Sequence, residues 1–586
     1  MFKSFAPHMT DSYKLGHIYQ YPAGTEQVYT NWTPRSDRLL PVLRNTLDGF
    51  KPFEGRMVWF GLQAHLKAFL IDAWNESFFD IPRDKAVARY QRRMDTFFGP
   101  NAVSADHIGA LHDLGYLPIE IRALPEGSRV PMRVAAMTIV NTLPEFYWVT
   151  NYLETALSSE LWKASTVATI AYEYRRLLDH YAGLTGAPAE FVQWQGHDFS
   201  MRGVDGVERA ALAGLGHLLS FTGTDTLAAV DLAEDYYGAD ASTELIGSSV
   251  PASEHSVMCM GGEGDEIGTF RRIITEVYPG GIVSVVSDTW DFWHAVGDMA
   301  AELKPEILAR KPDAFGNAKV VFRPDSGDPV DILCGTAQVV KFYADDFGPL
   351  SKAEEWFAGD LRDSVADDTP HGECGGGEAV GFFNHEGVTY KMVVEIEWNR
   401  YDKQFYYIDG HNIKSCEPAT LTPAEKGAVE VLWDTFGGTV TEKGFKLLDS
   451  HVGLIYGDSI TLERAQQILH RLKAKGFAST NVVFGIGSYT YQYLTRDSLG
   501  MAAKGTAGIV NGETRELFKD PITDSGTKRS ARGYIRVEEE GGTLVQYDRQ
   551  SFADSKTGAL APVFRDGVMT SQTTLAEVRA RLGALA

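Results

Sequence analysis

The sequence predicts an α/β protein: an irregular parallel α/β barrel (TIM-like) with a second α+β domain and an inserted β-rich segment. Three observations predict it. From residue 190 onward short β-branched runs recur, each stops at a polar or glycine-rich tip, and helical patterns follow the tips. No fixed-length repeat underlies them, which excludes a solenoid. In parallel sheets chemistry sits at the carboxyl ends of the strands, and barrel closure makes such tips converge. A doubly wound open sheet is the alternative that the same pattern leaves open.

Taken in order, residues 1–188 form the α+β opening region. Its first stretch is rich in aromatics and turn formers and reads as an irregular packing arm. Helical patterns follow from Gly61 to Phe79 and from Asp84 to Phe98, with Pro82 between them. Leu117 to Ala123 and Arg129 to Val140 read as strands, and Pro144 to Trp162 and Ser165 to Ala182 as two helices. The barrel comprises 189–342 and 424–504. Its strand candidates are Phe191 to Trp194, Leu219 to Phe221, Glu244 to Val250, Val283 to Val286, Val320 to Phe322, Val452 to Tyr456 and Asn481 to Phe484.

Residues 343–423 interrupt the barrel. Their acidic first part, with Asp360, Asp363, Asp367, Asp368 and Gly375-Gly376-Gly377, reads as a loop with little drive to fold. The second part alternates, as in Val388 to Val393 and Gln404 to Ile408, and predicts a small antiparallel sheet. Residues 505–586 carry a basic segment around Lys528, two strand-like pieces and a terminal helix from Leu575 to Leu585, expected to pack with the opening region.

The charge balance narrows the partners. With 55 Lys+Arg against 78 Asp+Glu the net charge is −23, a poor match for nucleic acid or an anionic membrane. Any anionic ligand must be held by locally clustered cations. The four cysteines are scattered without a Cys-x-x-Cys pair, so neither a zinc site nor a disulfide framework is indicated. No run of about 18 apolar residues and no signal-peptide core occurs, so a cytoplasmic location is expected.

The tips carry the chemistry. Arg323-Pro324-Asp325-Ser326-Gly327-Asp328 sets a guanidinium beside carboxylates on a turn, suited to a ligand bearing phosphate and hydroxyls. Gly457-Asp458 and Gly485-Ile486-Gly487, each before a helix, offer backbone N–H groups to a phosphate. Asp288 and Asp325 are candidates for Mg²⁺, although an Asp at a strand tip serves equally as a helix N-cap. His255, within Ala252-Ser253-Glu254-His255, is either structural or catalytic. Neither a dinucleotide fingerprint nor a Walker loop is present.

Together the strings resemble a known family. They are His197-Asp198-Phe199 with Arg202-Gly203-Val204, Phe221 with Gly223-Thr224-Asp225-Thr226, and Ser249-Val250-Pro251-Ala252 with Glu254-His255-Ser256. Ser284-Val285-Val286-Ser287-Asp288 and Arg323-Pro324-Asp325-Ser326-Gly327 continue the series, joined by Thr10 to Lys14, Leu494 to Asp497 and Phe518 to Pro521. The chain thereby resembles the nicotinamide phosphoribosyltransferases, type II phosphoribosyltransferases, over nearly its whole length except the insertion.

The resemblance implies a homodimer, with active sites shared across the interface, that joins nicotinamide to phosphoribosyl pyrophosphate, giving nicotinamide mononucleotide and pyrophosphate. It implies that Phe199 and Tyr13 of opposite subunits sandwich the pyridine, that Asp225 reads the amide, and that Arg202 and Arg323 lie near amide and ribose. Asp288 and Asp325 would meet ribose and Mg²⁺. Ser284, Gly457, Asp458, Gly485 and Gly487 would surround the ribose and its phosphate, and Arg35, Arg496, Lys504, Lys519 and Lys528 would line the pyrophosphate. His255 corresponds to a phosphorylatable histidine that couples ATP hydrolysis, with ATP as an optional co-substrate.

Departures from the family pattern are Ser200-Met201 for Gly-Tyr, Ser459 for the second glycine of Gly-Asp-Gly, and Ile486 and Tyr489 in the phosphate loop. The nearer alternative is a nicotinate phosphoribosyltransferase, against which the charge of Asp225 argues. The further one is a non-catalytic nucleotide-binding or signalling protein of the same fold.

Overall fold

The computed structural model describes the chain apart from residues 1–3, 343–347, 369–373, 400–403, 407–411, 458, 519–530 and 586. It folds as two compact units, Met1–Ser249 with Gly457–Gln466 and Ala478–Ala586, and Val250–Tyr456 with Gln467–Phe477. The class is mixed α/β, with short parallel strands ending in the polar tips.

In the first unit a seven-stranded sheet runs in the order Glu513–Glu516, Ala502–Val510, Thr25–Thr33, Met137–Asn141, Ile119–Ala123, Ala561–Arg565 and Val568–Met569. Every pairing in it is antiparallel. The N-terminal region thus supplies the middle strands and the C-terminal region both edges. The segment from Arg129 to Val140 is two strands, Arg129–Pro131 and Met137–Asn141, because it turns through Arg133, whose φ is 71°.

One 32-residue helix, Glu154–Thr185, replaces the two helices expected there. The polar run Lys163 to Thr169, which reads as a break, is buried in mid-helix and bonded outward. Ser165 Oγ accepts from Phe60 N and donates to Phe60 O, Thr169 Oγ1 accepts from Val58 N, and Lys163 Nζ donates to Gln492. Ala164 and Ala168 of this helix share a core with Val58, Phe60, Leu215, Leu218, Tyr237, Leu575 and Val578. Burying side chains of this kind contributes about 1.5–3 kcal/mol for each large one.

Three parallel strands of this unit carry tips: Gly223–Thr224, Gly196–Asp198 and Val482–Ile486, with Gly196–Asp198 in the middle. Two expected strands differ. Val192–Gln195 is a helical turn, and the strand begins only at Gly196, because buried Gln195 donates from Nε2 to Ser479 O and Val482 O. Glu244 to Val250 forms no strand: Arg579 takes the carbonyls of Leu245 and Ile246 that a neighbouring strand would use. Only an isolated parallel bridge joins Ser248 to Gly223.

The second unit holds the parallel strands Val452–Tyr456, Val320–Arg323 and Val283–Val286, with Val320–Arg323 in the middle. Its insertion is folded throughout the described residues. Leu350–Asp368 is a helix where a loop is expected, and Gly375 to Gly377 lie within the strand Cys374–His385. Charge conceals this helix in the sequence, yet Ala353, Phe357 and Ala358 are buried on one face in a core with Phe342, Phe383, Met392 and Ile396. At Gly381 a Cβ would stand 2.6 Å from Leu361 and 2.8 Å from Phe357, so glycine lets this helix approach the sheet. The alternating part forms the expected antiparallel strands Cys374–His385, Val388–Asn399, Gln404–Tyr406 and Ile413–Pro418.

Candidate active site

At the tips of the first unit the polar groups tie neighbouring strands together. Asp198 is fully buried: Oδ1 accepts from Ser200 N at 2.9 Å, and Oδ2 from Thr226 Oγ1 at 2.7 Å and Thr224 Oγ1 at 3.4 Å. Phe199 N donates to Ile486 O at 3.0 Å, which leaves the half-buried Phe199 ring just beyond the strand end. Asp225 N donates to Asp198 O, and its carboxylate Oδ1 accepts from His197 Nε2 at 2.9 Å and Ser249 Oγ at 2.5 Å. Arg202 follows on an exposed turn, Met201–Gly203, where Gly203 lies against Ser488.

Gly457, Gly485 and Gly487 are buried at strand ends, and Ser488–Tyr491 begins immediately after the last of them. Ser459 adopts φ 59°, the left-handed conformation that glycine supplies without steric cost. Asp458, Lys519 and Lys528 lie outside the described residues.

A cation cluster belongs to the same unit. Lys504 Nζ stands 3.9 Å from Glu154 Oε1, and buried Lys14 Nζ donates to Glu154 Oε2 at 2.6 Å. Burial holds Lys504 below the usual lysine range, and Arg35, Arg496 and Lys14 push it the same way while Glu154 opposes them. Arg35 is anchored by Nε donating to Gly500 O. Exposed Tyr13 meets His17 edge-on.

In the second unit Asp288 follows the Val283–Val286 strand and is nearly buried, its side chain 5% exposed. Its Oδ2 accepts from Asp325 N at 2.7 Å and Ser326 Oγ at 2.6 Å, while Oδ1 is buried without a hydrogen-bond partner. His255 opens the helix His255–Gly261; its Nδ1 lies 3.1 Å from Thr289 Oγ1 and its Nε2 3.9 Å from Asp288 Oδ1. Arg323 Nη2 donates to Ser253 O, and its Nε, like Ser284 Oγ, is buried unpartnered. Asp325 is exposed beside them in sequence.

This donor set fits a hard cation. An unsatisfied buried carboxylate oxygen is costly alone, and Mg²⁺ commonly takes only one or two carboxylates, completing its shell with water and substrate phosphate. Among the described residues no cluster of three or more His, Cys, Asp or Glu is built to hold a metal unaided.

The motif strings give no role to His197, Ser249, Lys14 or Glu154. His197, Ser249 and Lys14 are legible only as members of motif strings and Glu154 not at all, and all four meet their partners through tertiary packing. Lys14 and Glu154, 140 residues apart, carry no local signal.

The model of the nicotinate phosphoribosyltransferase (NAPRTase) family matches residues 194–356 and 412–558. A protein of Acinetobacter baylyi named nicotinamide phosphoribosyltransferase is 50% identical over 572 residues, spanning 98% of this chain and 96% of its own. Proteins of the same name from Mycoplasma pneumoniae and Xanthomonas campestris pv. campestris are each 30% identical; the alignments cover 89% and 98% of this chain and 93% and 97% of theirs. The chain belongs to the nicotinate phosphoribosyltransferase family.

Proposed function

We propose that this protein transfers the phosphoribosyl group of phosphoribosyl pyrophosphate to nicotinamide, giving nicotinamide mononucleotide and pyrophosphate in NAD salvage. It is a pentosyltransferase, as its relatives' names state. The observation that carries the choice of nicotinamide is Asp225, whose carboxylate is aimed by two donors on one oxygen. A carboxylate accepts from the N–H₂ of an amide and repels the carboxylate of nicotinate.

In this reading Phe199 stacks on the pyridine, with Tyr13 of a second copy on its other face, which makes the working species a homodimer. Arg202 and Arg323 orient amide and ribose; Ser284, Gly457, Asp458, Gly485 and Gly487 hold the ribose phosphate. The pyridine nitrogen attacks C1 of the ribose as the bond to pyrophosphate breaks, through an oxocarbenium-like state. The chain's share is to align the nitrogen with C1 and to receive charge on the leaving group through Arg35, Arg496, Lys504, Lys519 and Lys528. Asp288 and Asp325 would hold Mg²⁺, which when bound neutralises developing pyrophosphate charge. His255, exposed at a helix start, would take a phosphoryl group from ATP as an optional coupled step. A cytoplasmic setting accords with the free thiols of Cys259, Cys334 and Cys416.

The test gives the purified full chain nicotinamide or nicotinate with phosphoribosyl pyrophosphate and Mg²⁺, with and without ATP, and measures mononucleotide and pyrophosphate. Nicotinamide should exceed nicotinate by about a thousandfold or more in kcat/KM. Asp225→Asn should lower nicotinamide use and raise nicotinate use. A wild-type preference for nicotinate would overturn the assignment.

A further inference from the structure

His197 sits in the middle parallel strand of the first unit, its backbone paired with Gly485 on one side and Gly223 on the other. It takes no part in the transfer as described, yet it touches two of the groups assigned to nicotinamide, Asp225 and Phe199. With its proton on Nε2 the imidazole donates to Asp225 Oδ1 at 2.9 Å. Its ring centroid lies 4.5 Å from that of Phe199, at an interplanar angle of 37°. The side chain is 10% exposed while that of Asp225 is 47% exposed, so the buried ring braces a carboxylate that reaches solvent.

Space is reserved for this arrangement. A Cβ at position 223 would fall 2.8 Å from His197 Nδ1, so Gly223 leaves the room in which the imidazole stands. Ser249 Oγ donates to the same Asp225 oxygen, and two donors converging on one oxygen fix the plane of the carboxylate.

We propose that His197 is the positioning residue that sets the choice between pyridine substrates, by fixing the Asp225 carboxylate and buttressing the Phe199 ring. The inference rests on Asp225 being the amide acceptor. A carboxylate that can rotate or retreat presents a weaker acceptor to the amide and a weaker repulsion to a substrate carboxylate, so both edges of the discrimination blunt together.

Two substitutions separate the two contacts. His197→Gln retains an N–H donor within reach of Asp225 and removes the ring, whereas His197→Phe retains a ring against Phe199 and removes the donor. Steady-state kinetics with nicotinamide and with nicotinate give the ratio of kcat/KM values, with folding checked by thermal melt. For His197→Phe the ratio should fall about tenfold or more, and for His197→Gln it should stay within about threefold of wild type while the nicotinamide KM rises. Gly223→Ala, which pushes the imidazole from its place, should lower the ratio as His197→Phe does and stands in if that variant does not fold. A wild-type ratio in His197→Phe or Gly223→Ala overturns the inference, as does a His197→Gln ratio as low as that of His197→Phe, the sign of a merely structural histidine. Wild-type enzyme that prefers nicotinate overturns the proposed function instead.

Discussion

The strand tips of the two units treat their carboxylates in opposite ways. In the first unit both Asp198 oxygens are answered by Ser200, Thr224 and Thr226, and Asp225 receives two donors on Oδ1, although Ser200 Oγ and Gln195 Oε1 beside them are buried without hydrogen-bond partners. In the second, Asp288 is nearly buried and only its Oδ2 accepts a hydrogen bond; Asp288 Oδ1, Ser284 Oγ and Arg323 Nε are buried without hydrogen-bond partners, with His255 Nε2 3.9 Å from that Oδ1. A carboxylate whose donors are fixed has one low-energy geometry. An open one carries unmet electrostatic demand that a bound ion or a phosphorylated sugar can satisfy.

The largest effect is expected of Asp288→Asn. An amide of the same shape can still accept from Asp325 N and Ser326 Oγ, while the carboxylate charge is gone. Activity should fall by about a thousandfold or more, with the melting temperature unchanged or raised. Retained activity would mean that the open oxygen serves no ion.

A smaller effect separates the units by pH. Burial pushes His217 down to about 4 and His65 to about 3, from an ordinary 6.5, and both belong to the first unit. His217 is neutral when folded: Nε2 donates to Gly223 O and Nδ1 accepts from Tyr491 OH. Between pH 6.5 and 4 the unfolded chain therefore binds the extra proton, and stability present above pH 6.5 is lost as pH falls. For His217 alone the loss is roughly 2 kcal/mol at pH 5. Amide hydrogen exchange from pH 7 to 5 should show first-unit protection falling first, and His217→Gln should flatten that dependence. Equal loss in both units would remove acid sensitivity from the comparison.

The smallest test concerns Ser459, a non-glycine residue in the left-handed region three residues after the strand Val452–Tyr456. Ser459→Gly should stabilise the fold by up to about 1 kcal/mol, read as a small rise in melting temperature. A fall would show that interactions of the serine outweigh its backbone strain.

The α/β class and the order of the tips were legible because apolar runs ending in Asp, Arg or Gly are local signals, and the parallel strands at Val283–Val286, Val320–Arg323 and Val452–Tyr456 lie where that pattern puts them. The net charge, too, belongs to the composition. What the tertiary structure decided is where polar side chains find distant partners. Ser165 and Thr169 bond to the Val58–Phe60 backbone and so let one helix run through an apparent break. Arg579 claims carbonyls more than 330 residues away and abolishes a strand, and Phe357 packing onto Gly381 turns an acidic loop into a helix. The same holds at the site. The string His197-Asp198-Phe199 shows residue types, but only folding brings Asp225 and Ser249 to meet His197. Hydrogen-bond partners across 24 or 28 residues are set by strand register, which no local pattern encodes.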